Sequence, residues 1–209
     1  MVALVIAHVD LDAPGGVEEV REFYVTALGG VECTAPTPDD ELDHEREQEQ
    51  EHHHVLRLNV GESMLRLHTR AREDAASDAD GGAAPSPLAG HIELWTTEDL
   101  KALCDRLAPH VNEAPTLNDG ADMLVCTCPW GNRLLVRPAP GGDAFKVRGR
   151  LPGGHGTCAA MSRAVLHVPH GGPASVRAFF IGVLGSQCEL RRAGTAEHGM
   201  DYVRHPLLP

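Results

Sequence analysis

Long apolar runs are missing from this chain. No stretch of its 209 residues approaches the length needed to span a bilayer. The short apolar run Met1 to Ala7 falls below a signal-peptide core and lacks basic flanks, so no leader is expected. Basic residues are also in deficit. Eighteen Lys and Arg stand against 30 Asp and Glu, a formal net charge of −12, which argues against a nucleic-acid backbone as partner. The six cysteines (33, 104, 126, 128, 158 and 188) show no disulfide-framework spacing. Cys126-x-Cys128 has no second pair to complete a metal site, so ordinary reduced thiols are expected, and with them a soluble, reducing, cytoplasmic compartment. There is no glycine-rich phosphate loop. Neither Ser63 nor Ser162 sits in a nucleophile elbow.

What is present is ordinary globular composition, 42% hydrophobic and 23% charged, enough for one full domain and part of another. The acidity is local. Asp39 to Glu51 holds eight acids and one arginine, seven of the twelve excess negatives, and so belongs to one loop and not to a binding face.

Taken in order, Val2 to Val9 reads as a buried strand ending near Asp10, and Ala13 to Gly16 breaks it. Val17, Val20, Tyr24, Ala27 and Leu28 then fall on one helical face, with Gly29-Gly30 as the stop and Val31 to Thr34 as a second strand. Residues 36–54 carry acid, Gln and His without periodicity and read as a mobile surface insertion. His52-His53-His54 is assigned to that solvated loop, because neighbouring side chains on an extended chain point in alternating directions. Val55 to Val60 and Ser63 to Thr69 form a hairpin, and a low-complexity connection, 70–88, follows.

Gly90-His91-Ile92-Glu93-Leu94-Trp95 is a strand running into a helix. Thr96 to Asp99 cap that helix, Leu100, Leu103, Cys104 and Leu107 form its apolar face, and Pro109 ends it. Val111 to Pro115 and the hairpin Met123 to Val136, turning at Cys128-Pro129-Trp130-Gly131-Asn132, complete a second copy of one plan. Modules 2–70 and 89–138 each read strand, helix, hairpin. Each would leave a sheet face bare without the other. A Pro/Gly-rich linker, 139–160, leads to a further repeat: five of the ten residues Val176 to Gly185 are identical to Val20 to Gly29, and Leu166-His167-Val168 echoes Ala7-His8-Val9. Residues 161–209 therefore read as the start of a second domain, apparently truncated, to be completed by a homodimer partner or another chain.

The strand Gly90 to Leu94 together with the turn Pro129 to Asn132 resembles the vicinal-oxygen-chelate superfamily, the glyoxalase, bleomycin-resistance and extradiol-dioxygenase-like proteins. The resemblance implies an α+β fold of paired βαβββ modules forming an open, cup-like barrel over residues 1–138, plus an incomplete further module. It also implies four inward-facing metal ligands. The two opening positions fall on His8 and His91. The two positions usually held by carboxylates fall on Arg66, within Leu65-Arg66-Leu67, and on Leu135. A guanidinium cannot ligate and repels a dication, and an alkyl chain has no donor atom.

The leading expectation is thus a glyoxalase-like protein with a degenerate metal site that binds a small polar or anionic molecule through His8, Arg66, His91 and Glu93. A metal-dependent lyase or dioxygenase is the alternative. It would hold a divalent ion through His8, His91 and a displaced ligand, with Asp10, His68 or Glu93 two residues along the same strand faces. A non-catalytic sequestering or dimerisation module is the third. Trp95 and Trp130 could line the cup, though core packing is the commoner use of such residues.

Overall fold

The computed structural model describes residues 8–33, 53–61, 63–70, 87–141, 156–167, 172–182, 189–192 and 201–204. Two compact units are resolved, one spanning Ile6–Val165 and one that includes Leu166–Pro209.

In the larger unit the first module is β1 (His8–Asp12), α1 (Val17–Arg21), β2 (Val31–Glu32), β3 (His53–Val60) and β4 (Ser63–Arg70). Its sheet has the order β1-β4-β3-β2, with β1 parallel to β4 and the other pairs antiparallel. The second module repeats it. β5 (Gly90–Thr96), α2 (Leu100–Leu107), β6 (Thr116–Leu117), β7 (Leu124–Thr127) and β8 (Arg133–Pro138) give β6-β7-β8-β5, again with the first strand parallel to the last. A parallel pair needs a crossover, and the helix of each module supplies it. This is the α+β paired-module fold expected from the sequence.

Several local expectations are adjusted. The first helix is α-helical only to Arg21 and continues as a π turn over Glu22–Ala27, with Leu28 N–H donating to Phe23 C=O at 2.8 Å. The wider turn buries Phe23 together with Tyr24, Ala27 and Leu28. His53 and His54 are not loop residues. They begin β3, paired with Arg70 and Thr69, because the hairpin register extends two residues beyond its apolar run. Residues 36–52 of the expected insertion and 71–86 of the connection lie outside the described residues. The strand expected over Val111 to Pro115 forms instead at Thr116–Leu117, after Pro115, which has no N–H to give a ladder.

Strand β9 (Cys158–Leu166) begins inside the segment expected as linker and joins the second sheet beside β5. Thr97 N–H donates to Thr157 C=O at 2.9 Å and Ser162 Oγ donates to Glu93 C=O at 3.2 Å. In the smaller unit, α3 (Gly172–Gly182) is followed by β10 (Glu189–Arg192) antiparallel to β11 (Asp201–Arg204).

One apolar core runs through both modules, from Leu11, Phe23, Tyr24, Leu65 and Leu67 to Ile92, Leu94, Leu103, Leu124 and Val136. Period-two alternation assigns these to one face of each sheet and leaves the other for polar side chains. Cys126 and Cys128 take the core face and are free thiols, and burial pushes Cys126 up to about 12. The modules are also stitched by polar contacts. Buried Asn132 donates from Nδ2 to Asp12 C=O at 2.8 Å and accepts at Oδ1 from Leu88 N–H at 3.0 Å. Arg106 of α2 donates to Ala27 C=O at the end of the first helix (2.7 Å) and is held by both oxygens of Glu98.

Candidate functional site

The face opposite the core carries the candidate residues. On β1, Leu11 packs inward, so His8, Asp10 and Asp12 take the other face. On β4, Leu65 and Leu67 pack inward, so Arg66 and His68 join them. The parallel register sets Asp10 directly beside Arg66 and Asp12 beside His68. Asp10 is the hub. Its Oδ1 lies 2.7 Å from His68 Nε2 and 3.3 Å from Arg66 Nε, and its Oδ2 lies 3.4 Å from His8 Nε2. Arg66 Nη1 reaches His8 Nε2 at 3.5 Å. Arg66 is the most enclosed of the four, at 17% side-chain exposure against 46% for Asp10.

The second module repeats the arrangement. Ile92 and Leu94 face the core, leaving His91, Glu93 and Trp95 on the other side of β5. Glu93 stands opposite Leu135 as Asp10 stands opposite Arg66, so the His-x-acid pair recurs at equivalent places. His91 Nε2 is 3.5 Å from Glu93 Oε1, and Arg163 Nη1 on β9 donates to the same oxygen at 3.0 Å. The contacts lie within each module, His8 with Arg66 in the first and His91 with Glu93 in the second.

The displaced ligands that the metal alternative requires are already engaged. Asp10 is shared among His68, Arg66 and His8, and Glu93 is taken by Arg163. Among the described residues, no group of three or more His, Cys, Asp or Glu is arranged to hold a metal ion. A dication beside Asp10 would also face the Arg66 guanidinium at a few ångströms, where like charges repel. Of the four positions the resemblance gives to metal ligands, Arg66 and Leu135 carry no atom that donates to a cation.

Sequence reading missed Arg163, which reaches Glu93 across 70 positions. It also missed Asp10 as the hub, although the strand period had placed that residue beside His8. Trp130 is a core residue, stacked on Tyr24 at 6.1 Å between ring centroids and edge-on to Phe23, whereas Trp95 stays on the polar face.

No protein-family profile and no curated protein sequence matches the chain. Solved structures do. A protein from Bacillus anthracis assigned to the glyoxalase family is 17% identical, with 67% of this chain and 98% of that one covered and a TM-score of 0.43. A glyoxalase family protein from Enterococcus faecalis is 18% identical over 64% of this chain and 96% of its own, TM-score 0.37. A lactoylglutathione lyase from Agrobacterium tumefaciens is 18% identical over 68% and 98%, TM-score 0.34. On its own strand order, crossovers and register, the chain has an α+β fold of two repeated modules, each with its first strand parallel to its last.

Proposed function

We propose that the protein is a glyoxalase-like binding protein whose ordinary metal site has been replaced, and that its cup takes up a small polar or anionic molecule through His8, Arg66, His91 and Glu93. One observation carries this reading. The position that the resemblance gives to a carboxylate ligand is held by Arg66, whose guanidinium lies between His8 and Asp10. Leu135, at the equivalent place beside Glu93, adds no donor. Such a face suits hydrogen bonding and charge pairing with an oxyanion better than Lewis-acid chemistry. Free, buried cysteines support a reducing compartment. No helix among the described residues is long and apolar enough to cross a membrane.

Tag-free protein is expected to carry no stoichiometric divalent ion by elemental analysis. Installing both carboxylates, Arg66→Glu with Leu135→Glu, is expected to create metal affinity measurable by calorimetry. Stoichiometric metal in the wild-type protein, lost in His8→Ala/His91→Ala, would overturn the reading in favour of the enzyme. A thermal-shift panel of small anions should stabilise the wild type and not Arg66→Gln.

A further inference from the structure

We propose that Arg163, delivered by β9 from outside both modules, is an anion-binding residue of the candidate site and the second module's counterpart of Arg66. This rests on the reading above and adds a residue to it. In each module the acid two positions after the opening histidine meets a guanidinium. Asp10 Oδ1 lies 3.3 Å from Arg66 Nε, and Glu93 Oε1 lies 3.0 Å from Arg163 Nη1. The sources differ. Arg66 comes from the strand that closes its own module, directly beside Asp10. The place beside Glu93 on β8 is held by Leu135, whose alkyl chain can match no charge. The guanidinium arrives instead from β9, on the other side of β5.

An ion pair on a protein surface is often energetically idle. The surroundings set this one apart. Glu93 is only 11% exposed at its side chain, and a carboxylate so enclosed needs a partner. Arg163 is 45% exposed and keeps its guanidinium open to solvent. Nη1 is the donor given to Glu93, and the other N–H groups of Arg163 meet no partner among the described residues. A guanidinium has enough donors in its planar fork to hold the acid and an oxyanion together. The strand beneath it is pinned along its length. Thr157 C=O accepts from Thr97 N–H and from Thr96 Oγ1, each at 2.9 Å, and Cys158 N–H donates to Gly29 C=O at 3.0 Å. Ser162 Oγ then fixes β9 to Glu93 C=O at 3.2 Å. A Cβ at Gly156 would lie 2.1 Å from the Gly29 carbonyl oxygen, so the entry to the strand takes glycine alone. Arg163 thus leaves a fixed backbone, as a residue that orients a ligand must.

Calorimetric titration of the full chain with acetate, sulfate and inorganic phosphate, at matched ionic strength against chloride, tests this role. At least one anion is expected to bind saturably, and Arg163→Gln should weaken it by about tenfold or more. The double variant Arg163→Gln/Glu93→Gln separates contact from screening. Binding that stays weak in it supports a direct contact. Recovery of wild-type affinity would mean that Arg163 only screens Glu93, and overturns the proposal. Melting curves without ligand establish that each variant is folded. Where Arg163→Gln is not, Arg163→Lys keeps the ion pair and loses the fork, and wild-type affinity in that variant equally overturns the proposal. If Arg66→Gln abolishes binding and Arg163→Gln leaves it unchanged, the role of Arg163 falls while the cup remains a binding site. Silence of the wild type toward all three anions overturns the cup reading and the role of Arg163 with it.

Discussion

Gly15 illustrates how a single residue fixes the packing between modules. A Cβ added there would lie 2.7 Å from Trp130 Nε1, inside the indole that stacks on Tyr24. Gly15→Ala must therefore displace Trp130 from the shared core and is expected to lose about 1–3 kcal/mol in denaturant unfolding, with a change in tryptophan emission. Unchanged stability would mean that the Trp130 contact is not needed for packing. Asn132 makes a second single-residue case, since its amide alone links Asp12 C=O to Leu88 N–H. Asn132→Ala strands two backbone groups, and a loss of about 2–4 kcal/mol is expected by the same measurement. The sequence pointed to this Gly-Asn turn as a hairpin signal. Only Gly131 uses the positive φ, at 86°, and Asn132 serves a tertiary role that no local pattern specifies.

Secondary-structure elements follow local chemistry where that chemistry is complete. Helix α2 starts where Asp99 accepts from Lys101 N–H and Ala102 N–H through Oδ1, at 3.0 and 2.9 Å, and it buries Leu100, Leu103 and Leu107. Asp99→Ala removes the cap, and a loss of about 1 kcal/mol is expected from the thermal transition, while Asp99→Asn should retain most of the stability. The first helix departs from its ideal pattern for a tertiary reason. Gly30 N–H donates to Tyr24 C=O at 3.0 Å, in a place where a Cβ would meet that oxygen at 2.7 Å. The π turn and its glycine stop let the chain close tightly under β3. Strand β9 was hidden by the Pro/Gly-rich residues before it. Nothing in its own sequence says that it will add to β5 instead of opening a separate domain.

For the larger unit as a whole, the shared core carries a pH dependence. Burial raises the Cys126 and Cys158 thiols from an ordinary value near 9 to about 12. The folded-state value is the higher one. Their contribution is therefore fully present below the unfolded thiol's pKa and is lost as pH rises from about 9 toward 12, because the unfolded chain releases those protons first. Thermal midpoints should fall across that window, and Cys126→Ala/Cys158→Ala should flatten the slope even though its cavities lower the midpoint at neutral pH. An unchanged slope would show that other groups dominate alkaline unfolding. Arg106 joins the two helices through Ala27 C=O and Glu98, so Arg106→Met is expected to weaken the contact between modules.

Sequence alone determined the two-module plan, the helix faces, the closing turn and the placing of His8, Arg66, His91, Glu93 and Leu135 off the core face. The elements follow from periods of 2 and 3.6 and from residues with restricted backbone choices, whereas His8, Arg66, His91 and Leu135 were singled out by the family resemblance. Tertiary structure decided what the periods cannot reach: Asp10 shared by three neighbours, Arg163 on Glu93, Arg57 beside Arg66, and Asn132 between modules. These depend on which strand lies next to which and in what register. That is fixed by burying one common core, not by any residue's local preference.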